Sequence, residues 1–299
     1  MKVLGRISGL LVIVLSLVVG ISLANDTPKQ ISAIAAEYAA QGKFKEANKE
    51  FEKALKANAY FTPAKESLEV IQDVNEDKTE TDTAVHFFKG VAHSLRRELP
   101  EAISEFNKAI EKKPAFAIAY NNRGKAYRWK GQYDRAISDH NKAIEINPLY
   151  VRAYISRGIT YRFKGQWAET IADFSKAIEI DPRYANSHRY RGLAYASKGK
   201  YDLAISDFTK AIEIDPQFAR AYYSRGLAYT DIDQYDRAIS DCTKAIEINP
   251  KYAKAYRSRG VAHDAKGNMK KACSDWERAC ELGDCGSWGM SNKMRCLGK

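Results

Sequence analysis

Five cysteines and five histidines are the residues of this sequence that could supply metal ligands, nucleophiles or proton-transfer groups. Four of the cysteines lie near the C-terminus, and their spacings lack the short paired form that is typical of zinc sites. No glycine-rich phosphate loop, G-x-S-x-G or H-E-x-x-H motif accompanies them. We therefore predict that the chain is not an enzyme and that it binds no metal or cofactor.

The elements that carry these residues repeat along the chain with a period of 34 residues. Prolines recur at positions 114, 148, 182, 216 and 250, and glycines at 90, 124, 158, 192, 226 and 260. A period of this length indicates an array of stacked units. In the unit from Ala219 to Pro250, Tyr222 and Gly226 share one face of a first helix, and Ala238 and Cys242 share one face of a second.

This pattern resembles the tetratricopeptide repeat, whose units carry an aromatic residue, Gly, Tyr, Ala, Phe and Pro at these separations. The resemblance implies an all-α fold, a right-handed α-solenoid of helix-turn-helix repeats. Neighbouring units must stack, because one helix pair cannot bury its apolar face alone. Six strong units start at residues 83, 117, 151, 185, 219 and 253, and a weaker one precedes them.

The sequence divides into five predicted segments. Residues 1–24 form a signal peptide or a signal anchor, and 25–74 form a single N-terminal unit with a capping helix. Residues 75–83 are polar and acid-rich, which predicts a flexible linker. Residues 84–282 form the six-repeat array, and 283–299 form a cysteine-containing C-terminal cap.

The first 24 residues have the composition of an export signal. Lys2 and Arg6 precede an uncharged apolar run from Ile7 to Ala24, which ends in small residues suited to a signal peptidase. We favour cleavage, but an apolar run of this length could also anchor the chain in a membrane. Either outcome predicts export, to the periplasm or to the cell exterior.

The chain is basic, with a formal net charge of +11 at pH 7. A basic surface favours anionic partners. Because an exported protein rarely meets nucleic acid, we expect acidic proteins, anionic glycans or lipid head groups instead.

A basic residue stands directly before each repeated glycine, where tetratricopeptide repeats usually have leucine, and an acid follows at a fixed offset on the second helix. We favour an ion pair within each unit over a ladder of cations for an anionic ligand, because the acids supply the partners. The basic residues are Lys89, Arg123, Arg157, Arg191, Arg225 and Arg259, and the acids are Glu105, Asp139, Asp173, Asp207, Asp241 and Asp275.

The histidines occupy places that aromatic residues hold in other units, so we interpret all five as packing substitutions. Cys242 shares the place of His140 and is interpreted as a small buried hydrophobe. The histidines are His86, His93, His140, His188 and His263.

By analogy with the repeat family, the first helix of each unit lines a concave groove. Its positions here alternate arginines with aromatic residues, which are enriched at protein contacts, and guanidinium groups grip carboxylates at two points. We predict that the groove binds an extended acidic protein segment; the alternative is a solvated, mildly basic face. The predicted partner-binding residues are Asn121, Asn122, Lys125, Arg128, Trp129, Arg152, Arg162, Phe163, Arg189, Tyr190, Arg220, Tyr223, Lys254 and Arg257.

Cys273 and Cys280 replace two isoleucines of the preceding units, on a stripe expected to face the next unit. The sixth unit has no following unit, so an antiparallel return after Gly283 could cover the stripe. The return would bring Cys285 near Cys280 and Cys296 near Cys273. We predict these two disulfides; the other two connectivities remain open, and a metal site is the rival interpretation.

The leading hypothesis is a non-enzymatic scaffold of the cell envelope that binds other proteins. The alternative is a receptor for anionic glycan or lipid surfaces, which predicts strong salt dependence and little peptide specificity. A third hypothesis is an enzyme accessory whose repeats present the active site of a partner. We expect no nucleic acid, and membrane attachment only through an uncleaved N-terminal segment.

Overall fold

The computed structural model describes residues 27–57, 62–285 and 296. Over these residues the chain is all-α, without a strand, which confirms the predicted fold class. It divides into two compact units, one up to Pro114 and one from Ala115 onwards. The predicted leader, residues 1–24, lies outside the described residues.

The first unit contains five of the described helices. They are α1 (Pro28–Ala40), α2 (Phe44–Ala57), α3 (Thr62–Asn75), α4 (Thr81–Arg96) and α5 (Leu99–Lys112). The described residues of the second unit form five helix pairs. They are α6 (Ala117–Trp129) with α7 (Tyr133–Ile146), α8 (Val151–Phe163) with α9 (Trp167–Ile180), α10 (Ala185–Ser197) with α11 (Tyr201–Ile214), α12 (Ala219–Asp231) with α13 (Tyr235–Ile248), and α14 (Ala253–Ala265) with α15 (Met269–Glu281).

The first unit joins the weak N-terminal repeat to the first strong one around a cluster of phenylalanines. Helix α4 packs against α1 as well as against its own partner α5. The ring of Phe88 on α4 lies 6.0 Å from that of Phe44 and 6.1 Å from that of Phe51, both on α2, and 5.3 Å from Phe87. The boundary between compact units therefore falls after Pro114.

This organisation differs from the predicted flexible linker at residues 75–83. Only a short turn separates α3 from α4, and Thr79 within it is buried. The Lys113 ammonium group donates hydrogen bonds to the Thr79 hydroxyl at 2.7 Å and to the Lys78 carbonyl oxygen at 2.8 Å. These hydrogen bonds hold the segment in place, although its polar composition predicts a flexible linker.

The pairs of the second unit end where the sequence predicts. An Asn or Asp before the repeated proline caps the second helix of the first four pairs, since the residue before proline is disfavoured in helical geometry. The side chain of this residue also accepts the backbone N–H two residues later, at 3.0 or 3.1 Å, which closes the turn to the next pair. The four residues are Asn147, Asp181, Asp215 and Asn249.

Each repeated glycine lets the two helices of its pair approach closely. A Cβ atom added to Gly192 would lie 2.6 Å from the Phe208 ring and 3.1 Å from the Ala204 carbonyl oxygen. Gly158 faces Phe174 and Gly260 faces Trp276 in the same way. The large side chain on the second helix therefore occupies the space that the glycine leaves, as the repeat pattern predicts.

Candidate functional site

The first helices of the second unit build one side of that unit. Helices α6, α8, α10, α12 and α14 each pack against the first helix of the neighbouring pair as well as against their own second helix. The second helices pack chiefly against first helices on either side of them. We call the side formed by the first helices the inner surface, because the helices on the shorter side of a curved stack approach one another most closely.

Five ion pairs hold this surface to the second helices behind it. Each guanidinium group binds both carboxylate oxygens of its aspartate through Nε and Nη2, at distances of 2.6–2.9 Å, as a two-point pair. The side chains are mostly buried, with 18–22% exposure for the arginines and 6–9% for the aspartates. The pairs are Arg123–Asp139, Arg157–Asp173, Arg191–Asp207, Arg225–Asp241 and Arg259–Asp275.

The sequence does not reveal that the arginines also link adjacent pairs. Nη1 of Arg157 donates to Asn141 of the preceding second helix at 2.6 Å, and Nη1 of Arg191 donates to Ser175 at 3.2 Å. Arg225 and Arg259 bond Thr209 and Thr243 in the same way, each at 3.0 Å. Each of these arginines therefore connects three helices and fixes the register between neighbouring pairs.

In three of these ion pairs, burial and the attraction of the arginine act on the pKa of the aspartate in opposite directions. Burial raises the pKa of the Asp139 and Asp173 carboxyls, although their arginines act to lower it. Burial also acts to raise the pKa of Asp207, but hydrogen bonds from Arg191 and His188 outweigh it and leave the pKa below its ordinary value. Such pairs specify geometry more than they add net stability.

The sixth predicted ion pair, between Lys89 and Glu105 in the first unit, is not formed among the described residues. The Glu105 carboxylate instead contacts Nδ1 of His86 at 2.7 Å and Nζ of Lys108 at 2.6 Å. A lysine has a single ammonium group in place of the planar fork of arginine, so it cannot make the two-point contact of the other five pairs.

Two large aromatic side chains lie exposed at one end of the inner surface. Trp129 is 41% exposed and Phe163 is 51% exposed. The Arg128 guanidinium lies 6.0 Å from the Trp129 ring and 5.7 Å from the Phe163 ring, and that of Arg162 lies 5.1 Å from the Phe163 ring. Tyr133 stacks on Phe163 with ring centroids 6.0 Å apart. We call Arg128, Trp129, Arg162 and Phe163 the cation–aromatic patch.

A second group of predicted residues meets farther along the inner surface. Arg189 is only 8% exposed, and its guanidinium lies 4.4 Å from the Tyr190 ring and 5.6 Å from the Phe218 ring. Tyr223 packs against Tyr252 with ring centroids 5.1 Å apart. Burial raises the pKa of the Tyr252 phenol to about 12, against the opposing effect of Arg220 and Arg189.

The structure changes the interpretation of three predicted partner-binding residues. Asn121 is fully buried and its amide donates to the Tyr150 hydroxyl at 3.3 Å, so it packs between helix pairs and the prediction that it faces a partner is wrong. Asn122 is part-buried and its amide donates to the Ile118 carbonyl oxygen at 2.9 Å. Nε of Arg257 lies 3.5 Å from the Asp284 carboxylate.

The other predicted residues remain at least partly accessible. Arg220 and Lys254 are exposed, and the remainder are part-buried; these are Lys125, Arg152, Tyr190 and Tyr223.

The histidines of the second unit pack as the sequence suggests. His140 is fully buried behind Gly124. Nε2 of His188 lies 3.1 Å from the Pro182 carbonyl oxygen, and its Nδ1 lies 3.5 Å from Asp207. Among the residues that the structure describes, no cluster of His, Cys, Asp and Glu is arranged to hold a metal ion.

His140 carries a prediction for stability and its pH dependence. Burial, with the nearby charges of Lys125, Arg128 and Arg157, holds the pKa of His140 well below its ordinary value of 6.5. The folded state therefore keeps a neutral imidazole while the unfolded chain binds a proton below pH 6.5, so stability falls as the pH drops below that value.

We expect His140→Phe to remove this acid sensitivity, because phenylalanine fills the same place in other units. Between pH 7.5 and 5.5, wild type should lose about 1.4 kcal/mol more unfolding free energy than the variant. Neither imidazole nitrogen has a hydrogen-bond partner among the residues that the structure describes, so the variant should be at least as stable at pH 7.5. Urea denaturation at both pH values measures the difference, and parallel losses would contradict this assignment.

The four C-terminal cysteines form two disulfides. Cys273 is bonded to Cys296 with Cα atoms 5.6 Å apart, and Cys280 to Cys285 with Cα atoms 4.1 Å apart. These are the two pairings that we predict from the sequence. Cys242 is a buried free thiol, and burial raises its pKa to about 12. The predicted cap beyond residue 285 lies outside the described residues, apart from Cys296.

Across the described part of the chain, no helix combines the length and the apolar character that crossing a membrane requires. The predicted signal or anchor segment, residues 7–24, lies outside the described residues.

Comparisons with known proteins agree with the repeat architecture. The family profile described as "TPR repeat" matches residues 96–128, 160–199 and 192–233, and the profile described as "Tetratricopeptide repeat" matches residues 117–150 and 219–252. No curated protein matches the sequence significantly.

Several solved structures are similar to the chain. A tetratricopeptide repeat protein from Parabacteroides merdae is 18% identical, with 90% of this chain and 97% of that chain covered and a TM-score of 0.58. YrrB, described as a TPR protein with an unusual peptide-binding site, is 23% identical, with 65% and 98% covered and a TM-score of 0.50. MamA is 30% identical, with 54% and 95% covered and a TM-score of 0.49. The first two share the fold of stacked helix pairs.

Proposed function

The chain is a tetratricopeptide repeat protein, and from this premise we propose that it is a non-enzymatic scaffold whose inner surface binds an extended acidic segment of another protein. Proteins built from these repeats generally act as scaffolds. YrrB, which shares the fold, is described as having a peptide-binding site. The described residues of this chain offer no clustered metal ligands, and their histidines are engaged in packing or in contacts with neighbouring side chains.

The observation that carries the proposal is the cation–aromatic patch. An exposed tryptophan and an exposed phenylalanine lie beside two arginines on consecutive first helices. Large aromatic side chains and arginine are the residues that contribute most to protein interfaces. Arginine also binds carboxylates with charge-assisted hydrogen bonds, which favours an acidic ligand over a neutral one.

An exported location is part of the same proposal. The basic and apolar leader supports export, and two disulfides support an oxidising compartment, because disulfides persist outside the cytosol. We place the scaffold in the cell envelope or outside the cell, with membrane attachment only if the leader is retained.

The test compares two variants with the same change in net charge. Arg128→Glu/Arg162→Glu reverses the patch, whereas Arg135→Glu/Arg237→Glu reverses two exposed arginines on second helices. The probe is a fluorescein-labelled decaglutamate peptide, with decaglutamine as the neutral reference, and fluorescence anisotropy gives Kd. We expect the patch variant to lose at least about tenfold in affinity, because each lost charge-assisted contact weakens binding by roughly 1.5–3 kcal/mol.

The control variant should stay within about threefold of wild type, since exposed charges far from the ligand are screened by salt. Equal losses in the two variants would mean that net charge alone drives binding. That result would contradict the proposal that the inner surface binds an acidic segment. It would favour the alternative function, a receptor for anionic glycan or lipid surfaces, whose binding should weaken steeply with salt and show little peptide specificity.

A further inference from the structure

Arg189 is a buried cation that forms no ion pair with an acid in the part of the chain that the structure describes. Its side chain lies on α10 with 8% exposure, between the rings of Tyr190 and Phe218. Among the described residues, its Nε has no hydrogen-bond partner, and the side chains that act on its charge are Tyr190, Tyr252 and Arg220, with no Asp or Glu. Burial lowers its pKa, and the positive charge of Arg220 acts in the same direction.

The contrast with Arg191, two residues further along the same helix, shows that this arrangement is not a general feature of the fold. Arg191 binds both oxygens of Asp207 at 2.8 Å and also Ser175. The chain therefore supplies an acid where an arginine only joins helices. An unpaired buried charge is costly, so the lack of an acid at Arg189 points to a partner from outside the chain.

The neighbours of Arg189 form a site of matching character. Arg220 lies on α12, the first helix of the next pair, and is exposed. Tyr223 on α12 and Tyr252, just before α14, pack together with ring centroids 5.1 Å apart, and α12 packs against α10, which carries Arg189. Arg189 and Arg220 thus lie on one surface with four aromatic rings, and water is largely excluded from Arg189.

Resting on the proposed function, we propose that Arg189 and Arg220 bind one carboxylate of the acidic segment. Four aromatic side chains surround this carboxylate subsite; they are Tyr190, Phe218, Tyr223 and Tyr252. The Tyr190 and Phe218 rings lie against the guanidinium of Arg189, and its N–H groups are suited to the two oxygens of a planar carboxylate. This subsite is distinct from the cation–aromatic patch on α6 and α8. It anchors one residue of the segment, and the patch holds another part.

The test uses Arg189→Met, which keeps a long side chain and removes the charge. Its matched control is Arg183→Met, on an exposed arginine in the turn before α10. The probes are decaglutamate with an amidated C-terminus and decaglutamine with a free C-terminus. The readouts are Kd from anisotropy and the thermal unfolding midpoint without peptide.

We expect Arg189→Met to weaken binding of the recognised probe at least about tenfold, because a charge-assisted pair is lost. Its unfolding midpoint should equal or exceed that of wild type, since an unpaired buried charge has been removed. Arg183→Met should match wild type in Kd. The probe that loses affinity identifies the source of the carboxylate, with decaglutamate indicating a side chain and decaglutamine the C-terminus.

A lower midpoint with unchanged Kd would overturn the inference and make Arg189 a structural residue. If the patch variant loses affinity and Arg189→Met does not, the subsite is refuted while the proposed function stands. If wild type binds neither probe, both the subsite and the acidic-segment proposal fail.

Discussion

Replacing Asp173 by alanine should lower the free energy of unfolding by about 3 kcal/mol, because the substitution leaves the mostly buried guanidinium of Arg157 without its partner. Asp173 is 6% exposed and Arg157 is 20% exposed. The loss should spread beyond one helix pair, since Arg157 also bonds Asn141 of the preceding pair. Urea denaturation followed by circular dichroism measures the change at pH 7.

Two further variants separate the ion pair from general effects of substitution. Arg157→Leu/Asp173→Ala removes both charges and places leucine where related repeats carry it, so it should lose less stability than Asp173→Ala alone. Glu179→Ala removes an acid of the same helix that pairs with Lys176 in the open, and should cost about 0.5 kcal/mol or less. If Asp173→Ala costs no more than Glu179→Ala, the ion pair between Arg157 and Asp173 has no structural role.

Replacing Cys273 and Cys296 together by serine is expected to cost about 3 kcal/mol. This disulfide joins residues separated by 23 positions, and loop closure of that length restricts the unfolded chain by this amount. Chemical denaturation under non-reducing conditions measures the loss, and mass mapping of non-reduced peptides checks the pairing in the parent protein.

The second disulfide provides the matched comparison. Cys280 and Cys285 are separated by only 5 positions, so Cys280→Ser/Cys285→Ser should cost about 1 kcal/mol less than the first pair of substitutions. Free thiols in the unreduced parent would refute both links. Equal costs for the two variants would show that loop closure does not determine their contributions.

The repeat fold could be predicted because its determinants are local and recur. Gly192 and Phe208 lie on the two helices of one pair, and their contact requires only that the short turn between them closes. The aspartate or asparagine before each proline likewise acts within a few residues. Six copies of the same pattern make each local inference stronger than any single copy would.

The division of the chain could not be predicted, because it depends on contacts between repeats. Two of the rings that Phe88 contacts, those of Phe44 and Phe51, belong to α2, far away in sequence, and no spacing rule identifies them. The segment at 75–83 has the composition of a linker, yet Lys113 fastens it from the end of α5. The composition of a segment indicates whether it favours contact with water, but it does not indicate which side chains from other parts of the chain bind to it.

The candidate site was predicted in outline and changed in detail. Spacing placed Asn121 and Arg189 at the same position of two different repeats, facing the same groove. The structure buries both, but it gives Asn121 a neutral partner in Tyr150 and gives Arg189 aromatic rings without an acid. The difference arises from residues of the following pair, which vary from one repeat to the next.

Site-specific photo-crosslinking tests most directly whether the inner surface binds an acidic segment. Benzoylphenylalanine replaces Trp129 or Phe163 in the cation–aromatic patch, or Leu203, which is 48% exposed on the second helix α11. Each protein is irradiated with labelled decaglutamate. We predict strong crosslinking from positions 129 and 163, suppressed by unlabelled decaglutamate, and only background from position 203. Equal labelling at all three positions would contradict the proposed binding surface.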